Sequence, residues 1–296
     1  MGLLVLGSAG LLGSTLINRA RSRSIDVVGT YHSTQPEFKI PLAKLDIRDT
    51  KRFVEILDKF DIDAVVNCAA MTDVDACEAN PETAMSINGT APGELARSCK
   101  DAGVEFVHIS TDYVFDGDTD EPYRESAVPN PIQEYGKSKL AGERAVEEVI
   151  NEATIVRLSF VYGIHGDTGE LIGFPAWVRN QLNADEQVPL FVDQRITPTR
   201  AGQAAGTILS VLAADATGTY QIACQSCVTP FEFGREIARL RPEDANLRKS
   251  TQDKLDRRAD RPSFTCLDVN RIEKRLGRPQ PTLVEDLKTI AAPLRQ

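Results

Sequence analysis

The sequence predicts an α/β fold: a doubly wound parallel sheet with a smaller, mostly helical lobe. Three observations predict it. Up to Tyr162, short apolar runs alternate with longer amphipathic ones, the βαβα order of a parallel sheet covered on both faces. A glycine-rich turn, Gly7 to Gly13, follows the first apolar run and opens a helix. After Tyr162 the alternation weakens, and glycines at 163, 166, 169 and 173 mark loops. The expected boundaries are 1–162 for the sheet domain, with 197–224 returning to it, and 163–196 plus 225–296 for the lobe.

Each element has a local reason. Leu3 to Leu6 is an apolar strand that stops at Gly7. Leu11 to Arg21 has helical periodicity, and Ile25 to Thr30 is a second strand. Lys51 to Phe60 is a helix, followed by the strand Ala64 to Cys68. Pro81 suits the first position of a helix running to Lys100. Val104 to Ile109 and Thr154 to Leu158 are further strands. Pro175 to Leu182 is a helix, Ala201 to Ala213 an alanine-rich one, and Thr219 to Ala223 a last strand. The tail is charged and broken by Pro230, Pro242, Pro262, Pro279 and Pro281.

Composition narrows the function. The chain has 296 residues, 42% of them apolar, enough for a sizeable core. Its 43 acids outnumber 34 bases, so nucleic acid is not an expected partner. Arg257, Arg258 and Arg261 alternate with Asp256 and Asp260 and read as a solvated charged face. No apolar run reaches the ~20 residues of a membrane-spanning helix, and no signal-peptide pattern is present. A cytoplasmic protein is expected. The six cysteines are scattered and read as unpaired thiols. Cys224 and Cys227 form a single CxxC, with neither a second pair nor histidines at zinc-ligand spacing, so no metal is expected.

Four constellations carry chemistry. In Gly7-Ser8-Ala9-Gly10-Leu11-Leu12-Gly13, glycines permit a tight turn and let backbone N–H groups and a helix N-terminus meet a pyrophosphate. The second is an absence. An NAD-selective site places a carboxylate at the end of the second strand, but that end reads Thr30-Tyr31-His32-Ser33. A 2′-phosphate is therefore tolerated, with no Arg there to attract it and His32 and Ser33 as the local donors. Third, Tyr135 and Lys139 lie four apart on one helical face, where an ammonium would lower the phenol's pKa. Fourth, Ser110, Thr111 and Asp112 follow a strand at the sheet's carboxyl edge, where a hydroxyl can donate to a substrate carbonyl.

These residues resemble the dTDP-4-dehydrorhamnose reductase family of extended, Rossmann-like short-chain dehydrogenases/reductases. The matching blocks run in order: GSAGLLG at 7–13, LDIRD at 45–49, NCAAMTDVDACEANPETAMSINGTAPGELA at 67–96 and HISTDYVFDG at 108–117. They continue with YGKSKLAGE at 135–143, RLSFVYG at 157–163 and DQRITPT at 193–199. The resemblance implies a catalytic trio of Thr111, Tyr135 and Lys139. It implies cofactor contacts at Gly7, Gly10, Leu11, Leu12, Gly13, Thr30 and His32, an adenine-side pair at Asp46 and Ile47, and a border of Ala69, Ala70 and Met71. Substrate contacts would fall to Thr72, Val74, Ser110, Thr111, Asp112 and Phe160. Phe160 stands where the family commonly has Trp, which keeps the ring and loses the indole donor. The acids that bind a metal in some members have no counterpart at Ser14 and Thr15.

The reaction so implied moves hydride from NADPH or NADH, with NADPH favoured, to C4 of a nucleotide-linked 4-keto-6-deoxy sugar, most closely dTDP-4-dehydro-L-rhamnose. The sugar's diphosphate is expected to meet one of Arg157, Arg179, Arg195 and Arg200, Arg195 first. Two alternatives share these motifs: a nucleotide-sugar epimerase or dehydratase, and a non-catalytic NADP-binding subunit like the methionine adenosyltransferase β-subunit. A homodimer stays open.

Overall fold

The computed structural model describes residues 1–184, 186–241 and 245–295; Pro242 lies outside them. The first half alternates strands and helices in chain order: β1 Gly2–Leu6, α1 Leu11–Arg21, β2 Asp26–Tyr31, β3 Leu42–Lys44, α2 Thr50–Lys59 and β4 Ala64–Asn67. Helices α3 Val74–Ala79, α4 Pro81–Ala84 and α5 Ala91–Ala102 follow, then β5 Glu105–Thr111, α6 Glu134–Val149 and β6 Thr154–Leu158. The second half contains β7 Val161–Ile164, β8 Leu171–Ile172, α7 Phe174–Asn183, β9 Val188–Phe191, β10 Thr199–Arg200, α8 Ala201–Ala213 and β11 Thr219–Ile222. It ends with α9 Pro230–Ala238, β12 Leu247–Ser250, α10 Asn270–Leu276, α11 Leu283–Thr289 and α12 Ala291–Leu294.

Seven parallel strands form the main sheet in the order β11-β6-β5-β4-β1-β2-β3. Strand alternation divides the core between its two faces. Leu3 and Val5 pack with α1 and α8, whereas Leu4 and Leu6 pack with α2 and α5. Strand order reverses between β1 and β4, which opens a crevice beyond their carboxyl ends. A third core, around Tyr162, Val178, Leu190, Phe233 and Leu287, holds the lobe together. Two small sheets, β10-β7-β8 and β12-β9, accompany its helices. Val269 and Ile272 pack into the main-sheet core, so the tail divides between both parts.

Two local expectations need correction, and one short strand was not expected. The expected single helix from Pro81 to Lys100 contains a π-helical stretch, Met85–Thr90. Here the chain passes against α6 at Gly142, where a Cβ would lie 2.2 Å from the Asn88 carbonyl oxygen. β3 has only three residues and takes its register from β2 rather than from any pattern of its own. The cysteines are not all thiols, because Cys227 and Cys266 form a disulfide with a Cα–Cα distance of 5.5 Å. Arg195 bridges to Phe264 and Ile196 to Val228, which brings both cysteines beside one extended segment. Cys68, Cys77, Cys99 and Cys224 remain thiols. Among the described residues, no helix is long and apolar enough to cross a membrane.

Candidate active site

The crevice at the switch point holds a cavity of about 920 Å³. Its floor is the turn that the glycines make possible. Gly7 has φ +78°, and a Cβ there would lie 2.9 Å from the Ala69 nitrogen. A Cβ on Gly13 would lie 2.3 Å from the Gly7 oxygen, so α1 can approach β1 only without one. No side chain caps α1, and its first turn contains no acid. The walls at Gly10, Leu11, Leu12 and Gly13 therefore offer backbone donors and a positive helix end to an anion. Farther along, the cavity is lined by His32 and Ser33, and by Tyr31 and Thr34, to which the sequence assigned no role. The buried Ser110 hydroxyl lines it without a partner, so the cavity has an uncommitted donor as well as an anion cradle. This set fits a dinucleotide.

Some expected cofactor residues sit elsewhere. Thr30 is buried, and its carbonyl accepts from the Ser8 nitrogen at 2.8 Å and hydroxyl at 2.7 Å, fixing the turn from beneath. Asp46 stands outside the cavity wall, gripped by Arg48 Nε at 2.9 Å and Nη2 at 2.5 Å. Those bonds hold its pKa down to about 2. His32 Nε2 is 3.7 Å from the same carboxylate, so the chain does bring a guanidinium near the loop that lacked one in sequence. Ile47 packs in the core. Met71 is also absent from the wall, its backbone held by the Asn88 amide at 2.8 and 2.9 Å.

Ala69, Ala70, Thr72, Val74, Ser110, Thr111, Asp112, Tyr135, Lys139 and Phe160 all line the cavity. Gln133 caps α6 by accepting from the Gly136 nitrogen at 2.7 Å, which sets the helix that carries Tyr135 and Lys139. Tyr135 meets Tyr113 edge-on, with ring centroids 6.0 Å apart. Its phenol pKa is not lowered as expected. Burial pushes it well above the ordinary value, opposed by the Thr111 hydroxyl. Lys139 instead turns to the Ile109 carbonyl oxygen, 2.6 Å away, and burial brings its pKa down to about 8.

Thr111 donates its hydroxyl to Asp112 Oδ1 at 3.1 Å, and Ser159 donates to Oδ2 at 2.7 Å. Burial nevertheless raises the Asp112 pKa to about 6. A raised carboxyl pKa costs stability while the group is ionised, and that cost disappears as pH falls through the folded-state value. Asp112→Asn should therefore be more stable than the parent at pH 8. The gap should close between about pH 6 and 4 in thermal unfolding. A constant gap would show that Asp112 carries no linked proton.

A second cavity of about 570 Å³ adjoins the first, and Tyr113 and Phe160 line both. Phe160 takes φ +45°, a left-handed conformation that is uncommon for an aromatic residue. Its ring meets Phe174 at 5.5 Å. Arg248, Lys254, Arg257 and Arg261 line the second cavity. Arg257 and Arg261 are thus not the solvated face expected from sequence. Arg261 Nη2 lies 3.0 Å from Asp75 Oδ2, and Arg257 lies 5.0 Å from the Phe191 ring centroid. Burial and the neighbouring Arg261 charge depress the Arg257 pKa.

None of the four arginines expected from sequence lines either cavity. Arg157 is locked to Glu143 and Arg200 to Asp286. Arg179 bonds Asn180 and the Pro293 carbonyl oxygen. Arg195 points outward to the Cys227 carbonyl oxygen, 3.4 Å away, while its neighbour Gln194 faces the cavity.

Residues 1–296 match the family model described as the RmlD substrate binding domain. The chain is similar to a probable low-salt glycan biosynthesis reductase of Haloferax volcanii, 53% identical over 97% of this chain and 96% of that protein. It is 32% identical to dTDP-4-dehydrorhamnose reductase of Mycolicibacterium smegmatis, over 91% of this chain and 78% of that one. Among solved structures, dTDP-4-dehydrorhamnose reductase of Bacillus anthracis in complex with NADP matches with a TM-score of 0.86 at 27% identity, covering 97% of each chain. The chain belongs to this family, the dTDP-4-dehydrorhamnose reductase-like, NAD(P)H-dependent oxidoreductases.

Proposed function

We propose that this chain reduces the C4 keto group of a nucleotide-linked 4-keto-6-deoxy sugar, with dTDP-4-dehydro-L-rhamnose giving dTDP-L-rhamnose as the specific reaction. One observation carries the reading. The anion-cradling cavity and the cation-lined cavity share the walls Tyr113 and Phe160, and Tyr135 and Thr111 stand beside that junction. A substrate reaching from the second cavity presents its carbonyl to Tyr135.

The first cavity holds the dinucleotide through the backbone of Gly10 to Gly13 and through His32, Ser33 and Thr34. No carboxylate among these repels a 2′-phosphate, which supports NADPH as well as NADH. When bound, the cofactor supplies the hydride. Tyr135 holds on its Oη the proton that passes to the carbonyl oxygen. Thr111 Oγ1 orients that oxygen and the phenol. The Lys139 ammonium, once turned toward Tyr135, lowers the phenol's proton affinity.

Arg257 and Arg261 take the diphosphate, for which a guanidinium offers paired donors. Arg257→Ala should raise KM for the sugar nucleotide about tenfold and leave cofactor affinity unchanged. A parent-like KM would move the diphosphate elsewhere. The direct test offers dTDP-4-keto-6-deoxy-L-lyxo-hexulose with NADPH and identifies the product by NMR. dTDP-L-rhamnose is expected, whereas its C4 epimer or unreacted ketone would replace the specific assignment.

A further inference from the structure

Behind β5 lies a buried polar pair with no role in the reaction as described. His108 and Asn67 are both fully buried. His108 Nδ1 is 3.3 Å from Asn67 Nδ2, and His108 Nε2 is 3.4 Å from Lys139 Nζ. Asn67 Oδ1 accepts from the Ala69 nitrogen at 3.2 Å. α6 lies directly on the imidazole, because a Cβ on Gly142 would be 3.3 Å from Nε2.

These contacts fix the imidazole tautomer. Ala69 occupies the amide oxygen of Asn67, so the amide nitrogen faces the ring, and that nitrogen only donates. Nδ1 must then accept. A neutral imidazole carries one ring proton, which is left on Nε2. Burial and the Lys139 charge keep His108 neutral, with its pKa well below the ordinary histidine value.

The Nε2 proton therefore points at Lys139. An ammonium also only donates, so the two groups face each other as donors. Lys139 is anchored on one side by the Ile109 carbonyl oxygen and refused on the other. The remaining titratable groups acting on it are Cys68 after β4 and Glu143 one turn along α6, the latter paired with Arg157 of β6. Tyr135 lies one turn back on the same helix.

We infer that Asn67 and His108 are positioning residues for Lys139. By holding the imidazole proton on Nε2, they deny the ammonium a second acceptor behind β5 and favour its swing into the cavity toward Tyr135. This rests on the role proposed above for Lys139. It gives the two buried side chains a task in turnover without contact with cofactor or substrate.

The test begins with ¹⁵N NMR of the histidine-labelled parent, which has only three histidines. His108 should show a protonated Nε2 and a bare Nδ1 from ~pH 6 to 9. A proton on Nδ1 would overturn the inference, with no variant needed. Asn67→Ala should next move the proton to Nδ1, let Nε2 hold the ammonium back, and lower kcat roughly tenfold with KM unchanged. In a Lys139→Met background, Asn67→Ala should change kcat by less than about twofold, because the two residues act through one path. An equal fall in both backgrounds would mean a merely structural role and would overturn the inference. Parent-like turnover of Lys139→Met alone would remove the catalytic reading and the positioning role together, leaving the tautomer standing.

Discussion

Tyr135→Phe should lower kcat by roughly 10²-fold or more while the fold and cofactor affinity stay as in the parent. The ring makes its edge contact with Tyr113 through carbon atoms, so Phe keeps the packing. The substitution removes only the hydroxyl that holds the proton. Because burial keeps that phenol protonated, Tyr135 suits the proposed role of donor to a developing alkoxide better than that of a base. Steady-state rates with the keto-sugar, beside a cofactor titration, check the prediction. Unchanged turnover would remove Tyr135 from the mechanism.

Glu143→Ala should destabilise the protein by about 3–5 kcal/mol, because it leaves a buried guanidinium without its counter-ion. Glu143 and Arg157 have side-chain exposures of only 2% and 6%. They meet through paired bonds, Nε to Oε1 at 2.9 Å and Nη2 to Oε2 at 2.6 Å. Arg157 also lies 5.3 Å from the Phe115 ring centroid, which adds a cation–π contact but no second anion. Replacing both partners with apolar residues of similar volume should cost less than the single change. Denaturant unfolding measures both variants. A loss below about 1 kcal/mol for Glu143→Ala would mean that water reaches the pair. Glu143 also acts on Lys139, so the variant combines an electrostatic change at the site with its stability cost.

The sequence showed most clearly those features whose cause is local. The glycine turn, the Tyr135–Lys139 spacing and the hydroxyls at the end of β5 each follow from a few adjacent residues, and all line one cavity. Arg257 and Arg261 were hidden because their placement depends on a contact between Asp75 and Arg261, 186 residues apart. Arg195 was favoured for a chain position near the sheet edge, but its side chain turns outward to the Cys227 carbonyl oxygen while Gln194 faces the second cavity. Cys227 drew attention to its near neighbour Cys224, whereas its partner is 39 residues away. Lys139 has the expected place on its helix. Its direction depends on Ile109, Asn67 and His108, which no helical spacing reveals.

Hydride delivery to a sugar carbonyl is tested most directly by isotope. NADPH deuterated at the transferable C4 position of its nicotinamide is supplied with dTDP-4-keto-6-deoxy-L-lyxo-hexulose, and the product is read by NMR and mass spectrometry. Deuterium at C4 of the sugar, one atom for each NADPH consumed, is the predicted result. Deuterium at any other carbon, or NADPH left unoxidised by the folded protein, would contradict it.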